Sequence, residues 1–367
     1  MKALVTGLLV VIPLLLQGVT ISQEKLFKKI NSPPPEWMSL QIEEDLRAFK
    51  NTGITKEMLN KTIKEVYAVP TGRGAQFVRY QIQNNQITYY TPSENVSDVR
   101  ITDFVKFIQL LAQYTQLPDI EFIVSLWDSY DRPIFKDKTY CPIFTMCRLK
   151  PNEVGVLFPE VRFFNQRENI FKEIERHSNL SPWEKKINKS HWRGGTTGGL
   201  YSEYEWDYKS RPRLVLFSKD HPDLIDAYFT YPYWLDEKLK MVFNEYDLFR
   251  AWMGQTTGID HKYQIAVDGN TFPSSFWWQL VSNCVVLKGD SDYIEWFYKG
   301  VQPFVHYVPY NQDCSDLEEK FIWLQENDEK AHEIAKNATI FARENLQIED
   351  MMLYFYTVFH AYAKLQR

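Results

Sequence analysis

Residues 262–289 read KYQIAVDGNTFPSSFWWQLVSNCVVLKG. A buried-looking apolar run from Tyr263 to Val267 closes on Asp268 and Gly269, a turn-forming stretch follows, and a second run from Cys284 to Leu287 closes on Gly289. Between the runs, PSSFWWQLVSN has helical spacing, so the segment reads strand, helix, strand. Strands joined through a helix lie parallel, with both faces of the sheet covered. The reading makes this half of the chain α/β, and in such sheets ligands bind outside the carboxyl ends of the strands. Asp268 and Gly269 stand at one of those ends.

The alternation extends both ways. RPRLVLFS (211–218) reads as a strand and HPDLIDAYF (221–229) as a short helix; QPFVHYVPY (302–310) supplies one more strand before three helices over 316–327, 328–346 and 348–366. In the first half, residues 38–53 and 55–66 have helical spacing, and AQFVRYQIQNNQITYYT (75–91) reads as a strand pair turning at Asn84 and Asn85. A helix over 99–117 and a strand in DIEFIVSLWDSYDRP (119–133) follow. At 367 residues the chain exceeds one ordinary core and suits two domains. The expected division is a leader over 1–22, a first domain over 23–195, a second over 196–345 and a terminal helix over 346–367.

Composition excludes several classes. Hydrophobic residues at 44% and charged residues at 24% are those of a globular protein, and a net charge of −5 offers no basic face for nucleic acid. Aromatic residues reach 16%, which serves either a core or platforms for sugar rings. Lys2 precedes the apolar run ALVTGLLVVIPLLLQGVTIS, the pattern of a signal peptide or short signal anchor. Membrane contact is expected only through that segment if it is uncleaved. Five N-x-[ST] sequons, at Asn60, Asn95, Asn179, Asn188 and Asn337, agree with export, as do four cysteines whose spacing matches no zinc pattern.

Chemistry concentrates in a few places. HWRGGTTGGL (191–200) gathers four of the chain's 15 glycines behind Arg193. Clustered glycines let backbone N–H groups converge on an anion, and arginine adds a charge that does not titrate. The order matches neither a Walker loop nor the dinucleotide fingerprint, and a flexible connector remains the alternative. Arg211 and Arg213 flank Pro212 nearby, and arginine leads where phosphate oxygens are gripped in pairs. Asp128, after an apolar strand and beside Trp127, is a candidate general base, with Asp131 and Asp207 as competitors.

WRGG (192–195), the run from Arg211 to Ala227, YQIAVDG (263–269), VVLKGDSDYIEWFY (285–298), QPFVHYVP (302–309) and FARENL (341–346) succeed one another as in glycosyltransferase family 90, the Rumi-type protein O-glucosyltransferases and capsule-associated glycosyltransferases. The chain resembles this family over about residues 60–366, most closely the KDEL-containing members, although it ends in KLQR.

The resemblance implies a GT-B fold, two Rossmann-like domains facing across a cleft with C-terminal helices. It implies inverting transfer of glucose or xylose from a UDP-sugar to a protein or glycan acceptor, without a metal or other cofactor, in the endoplasmic reticulum or Golgi lumen or otherwise outside the cytoplasm. Asp128, ahead of CPIFTMC, takes the place of the catalytic aspartate. Arg211 matches the arginine on the diphosphate. Arg193, Gly194, Gly195 and Thr196 fall in the glycine-containing lead, Asp268 and Gly269 match the DG after the next strand, and Glu295 matches a family glutamate. Members usually carry a second arginine where this chain has Ser275, which in an active protein implies altered donor handling or compensation by Arg193 or Lys262. An inactive relative acting as a glycan-binding or scaffolding protein is the alternative; a hydrolase pairing Asp128 with Asp131 or Glu160 is a further one.

Overall fold

The computed structural model describes residues 21–67, 77–91, 99–127, 139–150, 155–162 and 164–367. The chain begins with helices α1 (Gln23–Ile30), α2 (Glu36–Leu46) and α3 (Lys56–Tyr67), hairpin strands β1 (Phe77–Gln83) and β2 (Gln86–Tyr90), helix α4 (Val99–Ala112), and strands β3 (Ile120–Ser125), β4 (Ile143–Thr145), β5 (Arg148–Leu149) and β6 (Gly155–Leu157). Helix α5 (Phe164–Leu180) leads to β7 (Ile187–Gly195), α6 (Ser210–Asp220), β8 (Ile225–Tyr231), α7 (Glu237–Glu245), β9 (His261–Ala266), α8 (Phe276–Gln279), β10 (Val285–Gly289), β11 (Tyr293–Ile294) and β12 (Val308–Tyr310). Helices α9 (Leu317–Glu326), α10 (Asp328–Asn345) and α11 (Ile348–Ala363) follow. None of the described helices is long and apolar enough to cross a membrane.

The elements form two compact α/β units. The first takes the described residues up to Glu168 together with Tyr293–Gly300 and Gln347–Arg367; the second takes Asn169–Asp292 and Val301–Leu346. In the first, a five-stranded sheet runs β2-β1-β3-β4-β6, with β1 antiparallel to both neighbours and β3, β4 and β6 parallel. The hairpin turns at Asn84 and Asn85, whose φ of 51° and 63° suit asparagine in a tight left-handed turn. Rings on α11 pack onto this sheet and α4: Phe355 on Phe104 at 5.8 Å, Phe359 on Phe122 at 5.1 Å, Tyr362 on Phe144 at 5.4 Å between centroids. Part of the aromatic excess therefore fills this core, and the terminal helix expected as a separate piece is integral to the first unit.

The second unit holds an all-parallel sheet in the order β12-β10-β9-β7-β8. Two expectations are reversed here. Residues 211–218 lie in helix α6 and residues 225–231 form strand β8. The apolar run Leu214–Phe217 is too short to distinguish strand from helix. Burial of Pro212, Leu214, Val215 and Ser218 follows helical spacing, whereas Ile225, Ala227 and Phe229 are buried alternately with half-exposed neighbours. WRGG, read as loop, ends strand β7. Since β7 is hydrogen-bonded to β8 and β9 on its two sides, the boundary expected after Gly195 moves back to Glu168, inside α5.

Candidate functional site

From β7 the chain crosses through α6 to β8 on one side; it later returns to β9 on the other side of β7. The crossover direction thus reverses between β7 and β9, the place where a parallel sheet leaves a crevice at its carboxyl edge. Gly195 ends β7 there, and Asp268 and Gly269 follow β9. Arg211, in the first turn of α6, spans both: its Nε donates to Asp268 O at 2.9 Å and its Nη1 to Gly195 O at 2.8 Å. Nη2 has no hydrogen-bond partner among the described residues. A Cβ on Gly269 would stand 2.8 Å from Nη2, so only glycine lets the guanidinium lie there. The ring of Trp192 lies 5.6 Å from the guanidinium carbon. Burial pulls the Arg211 pKa down, while Tyr201, Asp268 and Tyr310 act the other way.

The loop after β7 is tied down internally. Thr196 N donates to Tyr231 O at 3.0 Å and its buried Oγ1 to Tyr233 O at 2.7 Å, while Tyr201 Oη donates to Thr197 O at 2.8 Å. Gly198 and Gly199, at φ of 126° and 96°, direct both N–H groups at Asn270 Oδ1, at 3.1 and 3.4 Å. Gly194 and Gly195 answer to packing: a Cβ would meet the Trp192 ring at 2.5 Å and the Tyr233 ring at 2.6 Å, respectively.

Other predicted residues lie elsewhere. Arg193 donates through Nη1 to Asp226 O and through Nη2 to Asp226 Oδ2, both at 2.8 Å, so its charge is spent within the sheet. His191 and Arg193 hold the Asp226 carboxyl well below the usual range despite partial burial. Lys262 pairs with Asp328. Ser275 precedes α8 and donates to Gln279 Oε1 at 3.2 Å. Glu295 is buried in the first unit, where it adds to the field on Arg167. Arg213 lies 3.8 Å from Asp313, and Glu160 pairs with Arg162. Asp128 and Asp131 lie outside the described residues. All four cysteines are free and buried.

Two polar residues that sequence reading missed complete the site. Asp268 Oδ2 accepts from Ser291 Oγ at 2.5 Å and from Gln312 Nε2 at 2.7 Å. Burial raises the Asp268 pKa, and these two hydrogen bonds oppose the rise. Ser291 follows β10 and Gln312 follows β12, so each stands at a strand's carboxyl end, the positional signal that had marked Asp268.

The family model for glycosyl transferase family 90 matches residues 33–367. The chain belongs to glycosyl transferase family 90. Among curated relatives it is 31% identical over 342 residues to protein O-glucosyltransferase 2 of Danio rerio, covering 89% of this chain and 62% of that one. Identity to human protein O-glucosyltransferase 3 is 31% over 339 residues, covering 89% and 61%. To human protein O-glucosyltransferase 1 it is 25% over 351 residues, covering 88% and 79%. The chain thus spans about six-tenths of the length of the first two relatives. Among solved structures, Anabaena Alr3699/HepE in complex with UDP-glucose aligns over 61% of this chain and 63% of its own, at 10% identity and a TM-score of 0.37.

Proposed function

We propose that this member of the family is a glycosyltransferase that moves glucose or xylose from a UDP-sugar to a hydroxyl of a protein or glycan acceptor, with inversion and without a metal. The observation that carries the reading is Arg211, anchored to the carboxyl ends of β7 and β9 with its Nη2 left over beside Gly269. A partly desolvated guanidinium at a sheet's switch point suits a diphosphate, whose oxygens accept paired N–H donors. Family membership and the protein O-glucosyltransferase names of its relatives support it.

In this mechanism Asp128 takes the proton of the acceptor hydroxyl as its oxygen attacks the anomeric carbon from the face opposite UDP. The bond from that carbon to the diphosphate oxygen breaks, and UDP leaves with the electron pair. Arg211 and the amino end of α6 stabilise the growing negative charge. The protein works in the secretory pathway, with residues 1–22 as its leader.

Ser275, in place of the second arginine, favours one other reading, a binding or scaffolding relative. UDP release from UDP-glucose, UDP-xylose, UDP-galactose and UDP-N-acetylglucosamine, with and without an epidermal-growth-factor-like repeat or glycan acceptor, separates them. Acceptor-dependent release from UDP-glucose or UDP-xylose is expected. No acceptor-dependent release from any of them, with or without donor binding, would overturn the transferase and favour the scaffold.

A further inference from the structure

The carboxylate of Asp268 is held by one oxygen only. Oδ2 receives two hydrogen bonds, from Ser291 and Gln312, whereas Oδ1 is buried without a partner among the described residues, on a residue 8% exposed. A buried acceptor is ordinarily satisfied, and one left open beside a binding crevice calls for a partner that arrives from outside. Gln312 is engaged at both ends: its Oε1 accepts from the hydroxyl of Ser210, the first residue of α6, at 2.6 Å. The same side chain therefore joins the Asp268 carboxylate to the helix turn that carries Arg211, while the Asp268 carbonyl receives Arg211 Nε.

Charge decides which group fits Oδ1. A phosphate oxygen is an anionic acceptor and would be repelled, whereas a hydroxyl donates. Arg211 offers donors and Asp268 an acceptor, and a nucleotide sugar carries both anionic oxygens and hydroxyls. We infer that Gln312 and Ser291 are positioning residues that fix Asp268 so that its Oδ1 accepts a hydrogen bond from a hydroxyl of the bound nucleotide sugar. This deepens the functional reading above and rests on it. The hydroxyl comes from the ribose or from the transferred sugar.

Titration calorimetry on the whole chain with UDP-glucose, UDP and 2′,3′-dideoxy-UDP tests the inference, using Asp268→Asn, Gln312→Ala and Ser291→Ala. Asp268→Asn places a donor where an acceptor is needed and should weaken UDP-glucose about tenfold or more; the other two variants should lose severalfold with the fold intact by circular dichroism. Loss confined to UDP-glucose assigns the transferred sugar. Loss shared by UDP and UDP-glucose but absent for dideoxy-UDP assigns the ribose. Gln312→Ala also removes a hydrogen bond that favours the ionised carboxylate, so the acid limb of UDP-glucose binding should move to higher pH, which a purely structural role would not produce. The inference is overturned if wild type binds UDP-glucose and the folded variants bind it equally well, or if all three ligands weaken alike. Failure of the wild type to bind UDP-glucose would overturn the functional reading and this inference with it.

Discussion

Arg211 Nε donates to the backbone carbonyl of Asp268 at 2.9 Å, joining the first turn of α6 to the end of β9. With Nη1 on Gly195 O, one side chain ties together two strand ends between which the sheet changes direction. The donor reading depends on that relationship, because the same contacts that fix the guanidinium leave Nη2 at the crevice.

Arg193 should contribute to stability rather than to ligand binding. Its guanidinium is committed to Asp226, so Arg193→Ala is expected to cost about 1.5 to 3 kcal/mol of stability, the range for hydrogen bonds to charged groups. UDP affinity should stay within about a factor of two. Denaturant melts and UDP titration check this, and an affinity loss equal to that of Arg211→Ala would return Arg193 to the phosphate.

The two glycines ending β7 should respond differently to alanine. At Gly194 the new methyl meets the ring of Trp192, which is 7% exposed and cannot retreat; overpacking of this kind costs about 1 to 3 kcal/mol. At Gly195 it meets Tyr233, which is 46% exposed and free to swing aside. Thermal melts should rank Gly194→Ala below Gly195→Ala, and Gly194→Ala should also weaken UDP, since Trp192 lies under Arg211.

A pH effect follows from His261. Burial and the stacked ring of His191, 5.0 Å away, lower its pKa to about 4 from 6.5. As pH falls through 6.5 the unfolded chain takes up the proton while the folded one stays neutral down to about 4, so stability declines across that window and levels off below it. His261→Gln should flatten the decline between pH 6.5 and 4; an unchanged slope in urea melts would mean His261 does not drive it.

Asp128 carries the proposed base chemistry. Asp128→Asn should keep UDP binding and lose transfer by about 10²- to 10⁴-fold. Retention of more than roughly half of wild-type turnover would remove Asp128 from that role.

Much of this was legible in the residues, and the failures have physical causes. The run from Tyr263 to Gly289 announced its strands because apolar, β-branched residues end on glycine, and β9 and β10 form there. Strand β7 was missed because its buried residues include Ser190, His191 and Trp192, so no apolar alternation marks it. Helix α6 and strand β8 were exchanged because Leu214–Phe217 carries no period of its own; Pro212 in a first helical turn was the available clue. Arg211 was identified, but its anchoring on two carbonyl oxygens depends on β7 and β9 being neighbours. Gln312 was missed for the same reason: only the sheet order brings the end of β12 toward Asp268.

The most direct test of the account is calorimetric titration of wild type and Arg211→Ala with UDP and with uridine. Removing one partner of a desolvated charged pair costs about 2 to 4 kcal/mol, so UDP affinity should fall by about that amount while uridine, which has no phosphate, binds the variant almost as before. An equal drop for both ligands would place Arg211 in folding or nucleoside contact and contradict the diphosphate site at the ends of β7 and β9.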